Sequence, residues 1–96
     1  MSGEEVLAEL LELARAAGLR VQVVRGAGAD GEGPVSSGVC IVAGEPRAVL
    51  VRSDSVADRI EVLAGALRSH AGAWLDAHYV APAIRAWLEP RETRDP

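Results

Sequence analysis

The chain has 96 residues and a formal net charge of -4, and 49% of its residues are hydrophobic. A chain of this length forms a single domain with a thin core, and its balance of apolar and charged residues is that of an ordinary globular protein. The longest apolar runs have four or five residues, far fewer than the about 20 that cross a bilayer. The acidic charge is also unfavourable for contacts with phosphates. We therefore expect neither a membrane protein nor a nucleic-acid-binding protein.

The start of the sequence and its one cysteine suggest a cellular compartment. The stretch MSGEEVLAELLEL is acidic and amphipathic, the opposite of the basic and apolar regions of an export signal. Cys40 cannot form a disulfide within the chain, because no second cysteine exists, and this suits a reducing environment. We expect a cytoplasmic protein.

The first two elements follow directly from the spacing of apolar residues. Residues 3–17 place apolar side chains three and four positions apart, for example Val6 and Leu10, which is typical of an amphipathic helix. Gly18 is the residue type that most often follows a helix end. Residues 19–25, LRVQVVR, alternate apolar and polar side chains, as a half-buried strand does.

Two further strands are predicted in the middle of the chain, after a glycine-rich loop at residues 26–37. The runs SGVCIVAG and PRAVLVR are rich in β-branched residues and are joined by Gly44-Glu45-Pro46, which indicates a hairpin. Both runs are apolar at consecutive positions, as in strands that are covered on both faces. This pattern predicts that the two strands form the middle of a sheet and that Cys40 is buried there.

The second half of the chain predicts two helices. Ser55 is a typical N-cap residue, and the apolar stripe after it predicts a helix from about Val56 to His70. Pro82 suits the first turn of a short helix over Pro82–Leu88. The tail at residues 90–96 is charged and flanked by prolines, and we expect it to be loose.

Together these elements predict one α+β domain over residues 1–89, in the order αβββαα. We expect a small three-stranded sheet, antiparallel around its hairpin, with the first two helices packed on one face and the C-terminal helix at an edge. Two helices give less cover than strands with apolar residues on both faces require. This surplus of apolar positions leads us to expect a homodimer or another protein partner.

Three patterns are typical of chemical sites, and each lacks an essential part. Gly26, Gly28 and Gly31 have the spacing of a dinucleotide-binding loop, but no helix is predicted to begin after the third glycine. A nucleophilic cysteine needs a nearby base, and the histidines lie on other predicted elements. No acidic residue or cysteine has zinc-site spacing to either histidine. We therefore expect no metal and no cofactor.

All three aromatic residues, Trp74, Tyr79 and Trp87, lie in the last quarter of the chain. They either cover the edge of the core or form a binding surface, since Trp and Tyr are enriched where interfaces depend on a few residues. Ile84, Trp87 and Leu88 share one face of a helix that is too short to be stable alone, so this helix must dock on something. These five side chains are the candidate interface.

The segment from Val49 to His70, VLVRSDSVADRIEVLAGALRSH, resembles in layout the core of the ImmA/IrrE-type zinc peptidases, which act on repressor and stress-regulator proteins. In that family a helix precedes a small sheet, and an apolar strand leads through a polar turn to an arginine. The next helix carries His-Glu-x-x-His. Taking Arg59 as that arginine places the motif on residues 66–70, where only the last histidine is present. The first zinc ligand and the water-activating glutamate are missing, so the resemblance implies a small, catalytically dead relative that is kept for binding.

The sequence thus favours a small, cytoplasmic, non-enzymatic protein–protein interaction or adaptor module. The main alternative is a cysteine-dependent enzyme in which Cys40 acts with His70 or His78. A third interpretation is a small-ligand binder that uses the 26–37 loop.

Overall fold

The computed structural model describes residues 2–25 and 37–89. Within these ranges the fold is α+β, as predicted, with the element order αβββααα. The elements are α1 (Gly3–Ala17), β1 (Arg20–Val24), β2 (Gly38–Val42), β3 (Glu45–Val51), α2 (Val56–His70), α3 (Gly72–Ala77) and α4 (Pro82–Leu88). Helices α1, α2 and α4 have the predicted bounds, whereas α3 was not predicted. The predicted loose tail at residues 90–96 lies outside the described residues.

The three strands form one mixed sheet in the order β1-β3-β2. Strand β3 pairs in parallel with β1 and antiparallel with β2. The prediction that β2 and β3 both lie in the middle is therefore wrong for β2, which is an edge strand. The sheet is also not wholly antiparallel, because β1 does not pair with β2 but reaches the far side of β3.

The sheet has two chemically different faces. The side chains of paired residues point to the same face, so Val21 and Val39 lie on the same side as their partner Ala48. Ala48 and Leu50 belong to the hydrophobic core that α1 and α2 complete, and we call this side the helix face. The opposite side, which we call the open face, carries Arg20, Gln22, Cys40, Val42, Glu45, Arg47 and Val49.

Helices α1 and α2 pack against each other and against the sheet. The largest fully buried side chains are Val6, Leu10, Leu50, Val51, Ile60, Leu63 and Leu67. Most of them lie on the apolar faces of α1 and α2 that the sequence periodicity predicted, as expected for amphipathic helices.

The ends of these two helices are capped locally. The Ser2 hydroxyl accepts a hydrogen bond from the backbone N–H of Glu5, and the Glu5 carboxylate accepts one from the backbone N–H of Ser2. Gly18 ends α1 in the left-handed conformation, with φ of 82°. The Ser55 hydroxyl accepts from the N–H of Asp58 at 3.0 Å, as its N-cap prediction requires.

The two short helices complete the core on the helix side. Helix α3 packs against α2, and α4 packs against α1 and α2. The expectation that the C-terminal helix lies at a sheet edge is therefore wrong: it belongs to the helix layer. Pro82 begins α4, as predicted.

Candidate interaction surface

Strand β2 is the most exposed apolar element among the described residues. Val39 is 43% exposed, Ile41 is 61% exposed and Val42 is 42% exposed. Cys40 is exposed as well. Soluble proteins rarely leave a row of apolar side chains on an edge strand, because such an edge is a template for pairing with another chain. This strand is therefore the first candidate for a binding surface.

The exposure of Val39 and Ile41 follows from the position of β2 in the sheet. Both side chains lie on the helix face, because their partners in β3 are Ala48 and Pro46. The two large helices are centred on the other strands: α1 contacts β1 and α2 contacts β3, with only a small contact between α2 and β2. The helices therefore do not cover β2, and the side chains of Val39 and Ile41 remain exposed to solvent.

The hairpin between β2 and β3 determines which backbone groups of β2 point outward. Antiparallel partners alternate between hydrogen-bonded and non-hydrogen-bonded pairs. Pro46 has no N–H, so the pair Ile41–Pro46 must be a non-hydrogen-bonded pair. The alternation then makes Cys40–Arg47 a hydrogen-bonded pair and leaves the N–H and C=O groups of Val39 and Ile41 pointing away from β3.

The turn of this hairpin has two residues, Ala43 and Gly44, with φ of 54° and 83°. Positive φ at both positions gives the turn a backbone twist that matches the twist of the two strands, which favours tight hairpins. The predicted turn, Gly44-Glu45-Pro46, is therefore shifted, because Glu45 and Pro46 already belong to β3. Pro46 is tolerated in a central strand because β1 begins to pair only at Arg47.

No charge protects the β2 edge. The eight residues from Ser37 to Gly44 include no Asp, Glu, Lys or Arg, although 25% of the whole chain is charged. The other edge strand differs, because β1 begins with Arg20 and is followed by Arg25. Charged residues on an edge strand oppose pairing with another strand. Of the two edges, β2 is thus the one suited to pairing.

The start of β2 is held in place by Ser37. The backbone N–H of Ser37 donates to the Asp54 carboxylate at 2.7 Å, and the Ser37 hydroxyl accepts from the N–H of Val51 at 2.8 Å. Hydrogen bonds from the hydroxyl and the N–H of Ser37, with a smaller effect from the nearby Arg59 charge, hold the pKa of Asp54 below its ordinary value of 3.8. This network fixes β2 to the turn after β3.

Replacing Asp54 with asparagine should remove an acid-dependent part of the stability. Because the folded-state pKa of Asp54 is lowered, its contribution is present above the ordinary value and is lost as the pH falls through the folded-state pKa. Urea unfolding at pH 7, 4, 3 and 2 should show a stability difference between the wild type and Asp54→Asn that shrinks below about pH 4. A difference that is the same at every pH would contradict the role given to the carboxylate.

The open face beside β2 is mainly polar near the hairpin. The Arg20 guanidinium lies 3.2 Å from the Glu45 carboxylate, and Arg47 donates to the Gln22 side chain at 3.3 Å. Both pairs are exposed, and such pairs add little stability. They make this face mainly polar and solvated, and Val42 is the exposed apolar side chain that β2 adds to it, whereas Val39 and Ile41 lie on the helix face.

Cys40 is placed differently from the prediction. It was expected to be a buried residue of a central strand, but it is exposed on the open face of the edge strand. His70 ends α2, which packs on the opposite face of the sheet, and His78 follows α3, which packs against α2. Within the described ranges, neither imidazole lies on the face that carries the thiol. The arrangement required for a cysteine nucleophile with a histidine base is therefore not assembled here.

The five predicted interface residues fall into three groups by their exposure. Ile84 and Leu88 are buried in the core, so they hold α4 in place and are not available to a partner. Trp74 and Trp87 are half-buried and pack against the core. Tyr79 is 84% exposed. Of the candidate interface, only the tyrosine side chain lies mostly in solvent.

The corner around Tyr79 is ordered by local contacts. The rings of Trp74 and His78 stack with their centroids 4.0 Å apart, and His78 Nδ1 lies 2.8 Å from the Trp74 carbonyl oxygen. Arg85 donates to the carbonyl oxygen of Leu75 at the end of α3. Trp74 is thus occupied within the fold, and Tyr79 stands alone as an exposed aromatic side chain, which is a weaker binding feature than a row of apolar residues.

The positions that would carry the His-Glu-x-x-His motif, residues 66–70, lie at the end of α2. At the positions of the first motif histidine and of the glutamate, Ala66 and Leu67 are buried in the apolar core, whereas His70 is exposed. Arg59 is half-buried, and its Nε lacks a hydrogen-bond partner. The described residues contain no group of three or more His, Cys, Asp or Glu side chains that could hold a metal ion.

Two further observations concern ligands and membranes. The glycines at positions 26, 28 and 31, with most of the 26–37 loop, lie outside the described residues. In the part of the chain that the structure describes, none of the helices combines the length and apolar character needed to cross a bilayer.

Comparisons with protein-family models, with curated proteins and with solved structures find no match for this chain.

Sequence reasoning did not identify β2 as the exposed edge. One useful signal was that the second and third strands have more apolar positions than two helices can cover. The structure places most of the exposed apolar strand residues on β2, namely Val39, Ile41 and Val42, and one, Val23, on β1. A second signal was present in the sequence, because the uncharged run from Ser37 to Gly44 precedes a proline that can only occupy a non-hydrogen-bonded position opposite β2.

Proposed function

We propose that the protein is a small, cytoplasmic, non-enzymatic protein–protein interaction module, and that it binds a polypeptide along the outer edge of β2. The observation that carries this proposal is the row of exposed apolar side chains on an uncharged edge strand. Strand addition to such an edge is a common mode of recognition, in which backbone hydrogen bonds supply affinity and alternate side chains supply specificity.

The geometry supports this mode in detail. The outward N–H and C=O groups of Val39 and Ile41 offer four hydrogen-bonding groups to a fourth strand beside β2. The same two residues present their side chains on the helix face, where a bound strand would extend the core. An exposed thiol at Cys40 with no partner cysteine in the chain suits the reducing cytoplasm.

We also propose that the chain is a non-catalytic relative of the ImmA/IrrE-type peptidases, which its sequence resembles. The burial of Ala66 and Leu67 supports this part, because the two positions that would carry a zinc ligand and a water-activating carboxylate are filled with core side chains. A fold of this kind would then retain only binding.

A photoreactive benzoylphenylalanine at position 39 tests the binding surface, with the same residue at Ala73 on α3 as the control. Both native side chains are exposed, so both variants should fold. Irradiation of the host lysate should give one discrete adduct from position 39 and none from position 73. The added substitution Ile41→Arg should abolish the adduct, and Cys40→Ser should retain it.

The outcomes separate the functional classes. Equal labelling from both positions, or an adduct that survives Ile41→Arg, would contradict binding at β2. Loss of the adduct in Cys40→Ser but not in Ile41→Arg would instead favour the cysteine-dependent enzyme, because that result would require the thiol rather than the apolar edge.

A further inference from the structure

We infer that the strand bound at β2 is β2 of a second copy of this chain, in an antiparallel pair centred on Cys40 that joins two three-stranded sheets into one of six strands. This inference rests on the proposed function and adds the partner and the register. A two-fold axis is the commonest symmetry of soluble oligomers, and it requires a surface that is complementary to itself.

The backbone of β2 meets that requirement. An axis through Cys40 places Val39 opposite Ile41 of the second copy, and Ile41 opposite Val39 of that copy. Both residues have their N–H and C=O groups pointing outward, as the Ile41–Pro46 pairing shows. The new pairs are therefore hydrogen-bonded on both sides of the axis. A shift of the centre to Val39 or Ile41 would use the outward groups of fewer residues of this five-residue strand.

The side chains are complementary in the same register. Val39 and Ile41 of the two copies meet on the helix face, where 43% and 61% of these side chains are exposed in the single chain. On the open face, Gly38 lies opposite the larger Val42 of the second copy. Cross-strand pairs of β-branched residues are among the favourable contacts of sheets.

Charge favours self-pairing at β2 over the other edge. Each copy carries a net charge of -4, so an interface between copies must not bring like charges together. The run from Ser37 to Gly44 has no charge. Strand β1 instead begins with Arg20 and is followed by Arg25, and charged residues on an edge strand oppose its pairing with another strand. Pairing with a second copy is therefore favoured at β2 and disfavoured at β1.

Sedimentation of the purified chain tests the inference, with Ile41→Arg and Ile41→Pro as the variants. Because two five-residue strands form a small interface, we expect dimerisation with a Kd of about 1–100 μM. Ile41→Arg should raise the Kd about 100-fold or more, since two unpaired charges would enter the interface. Ile41→Pro should also raise the Kd, because it removes an N–H group that points away from β3. It should leave the hydrogen bonds between β2 and β3 intact. Tyr79→Arg, which adds the same charge at another exposed site, should dimerise like the wild type.

Oxidation of the unaltered chain provides a test that needs no substitution. In the proposed register the two Cys40 residues form a non-hydrogen-bonded pair, with a Cα–Cα distance of about 4.5 Å, which lies within the range of disulfides. Diamide, which takes up the two electrons and two protons released by the thiols, should give a covalent dimer of two 10.0 kDa chains. Ile41→Arg should prevent its rapid formation.

Several results would overturn the inference. A wild-type chain that is monomeric at about 500 μM, or dimerisation that Ile41→Arg leaves unchanged, would exclude self-pairing at β2. A dimer that is not captured by diamide would exclude the register centred on Cys40. If the chain stays monomeric while position 39 forms an adduct with a different protein in the lysate, the inference fails and the proposed function stands.

Discussion

A glutamate in place of Leu67 should abolish most of the stability of the protein at pH 7. Leu67 is fully buried among the core residues of α2, and the described residues place no charged group in the core. Burial raises the pKa of an unpaired carboxyl by about 4 units, which corresponds to about 5–6 kcal/mol at neutral pH. A chain of this size has a total stability of about 5–14 kcal/mol, so the ionised side chain would remove much or all of it.

The pH dependence identifies the cause of this loss. The folded-state pKa of the new carboxyl would lie above its unfolded value of about 4.3, so the variant should gain stability as the pH falls from about 8 towards 5. Urea unfolding, followed by circular dichroism at pH 8, 7 and 5, measures the free energy of unfolding of this variant. Leu67→Met is the control and should cost less than about 1.5 kcal/mol, because it keeps the volume and the apolar character.

A Leu67→Glu variant with the urea midpoint of the wild type would show that the inner face of α2 is misplaced. The expected result would show that a glutamate, as in a His-Glu-x-x-His motif, cannot be placed at this position without destabilising the core. Ala66 and Leu67 are components of the core, and a metal site at this point would require a cavity where the fold has packed side chains.

Replacing Ile84 with alanine should destabilise the protein by about 2–5 kcal/mol, the usual range for removing a buried isoleucine. Ile84 is 3% exposed and belongs to the core cluster that fixes α4. Helix α4 has seven residues, and a helix of this length exists only while it is docked. The substitution should therefore also lower the helical signal in circular dichroism before global unfolding.

Tyr79→Ala is the matched comparison, because Tyr79 was predicted to share an interface with Ile84 but is exposed. It should change the free energy of unfolding by no more than about 0.5 kcal/mol. Equal losses in the two variants would mean that the C-terminal corner is not packed as described. A large loss for Ile84→Ala alone confirms that the isoleucine is a core residue and leaves Tyr79 as a surface residue.

The helices were predictable because their information is local. The spacing of Val6 and Leu10, with Gly18 after them, defines α1, and Ser55 marks the start of α2. Pro82 marks the start of α4 in the same way. Each of these signals acts within one or two turns of the backbone. Helix α3, with six residues and no side-chain cap, has no such signal, and it forms because Leu75 is buried against the rest of the core.

The sheet order was not predictable because it depends on contacts between distant residues. The runs at 39–43 and 48–51 are equally apolar, and a continuous apolar run does not distinguish a central strand from an edge strand. The difference arises because β1 pairs with β3, which leaves β2 with one neighbour. The exposure of Cys40 and the position of the candidate surface follow from this one pairing. The apolar pattern of the two runs alone therefore could not predict them.

Amide hydrogen exchange measured residue by residue, at protein concentrations of about 1 and about 500 μM, tests most directly whether β2 pairs along its outer edge. The amides of Val39 and Ile41 should exchange rapidly at the low concentration and become protected at the high one. The amide of Cys40, which points towards Arg47 in β3, should be protected at both concentrations. Rapid exchange of Val39 and Ile41 at both concentrations, or protection of these amides in the single chain, would contradict the account.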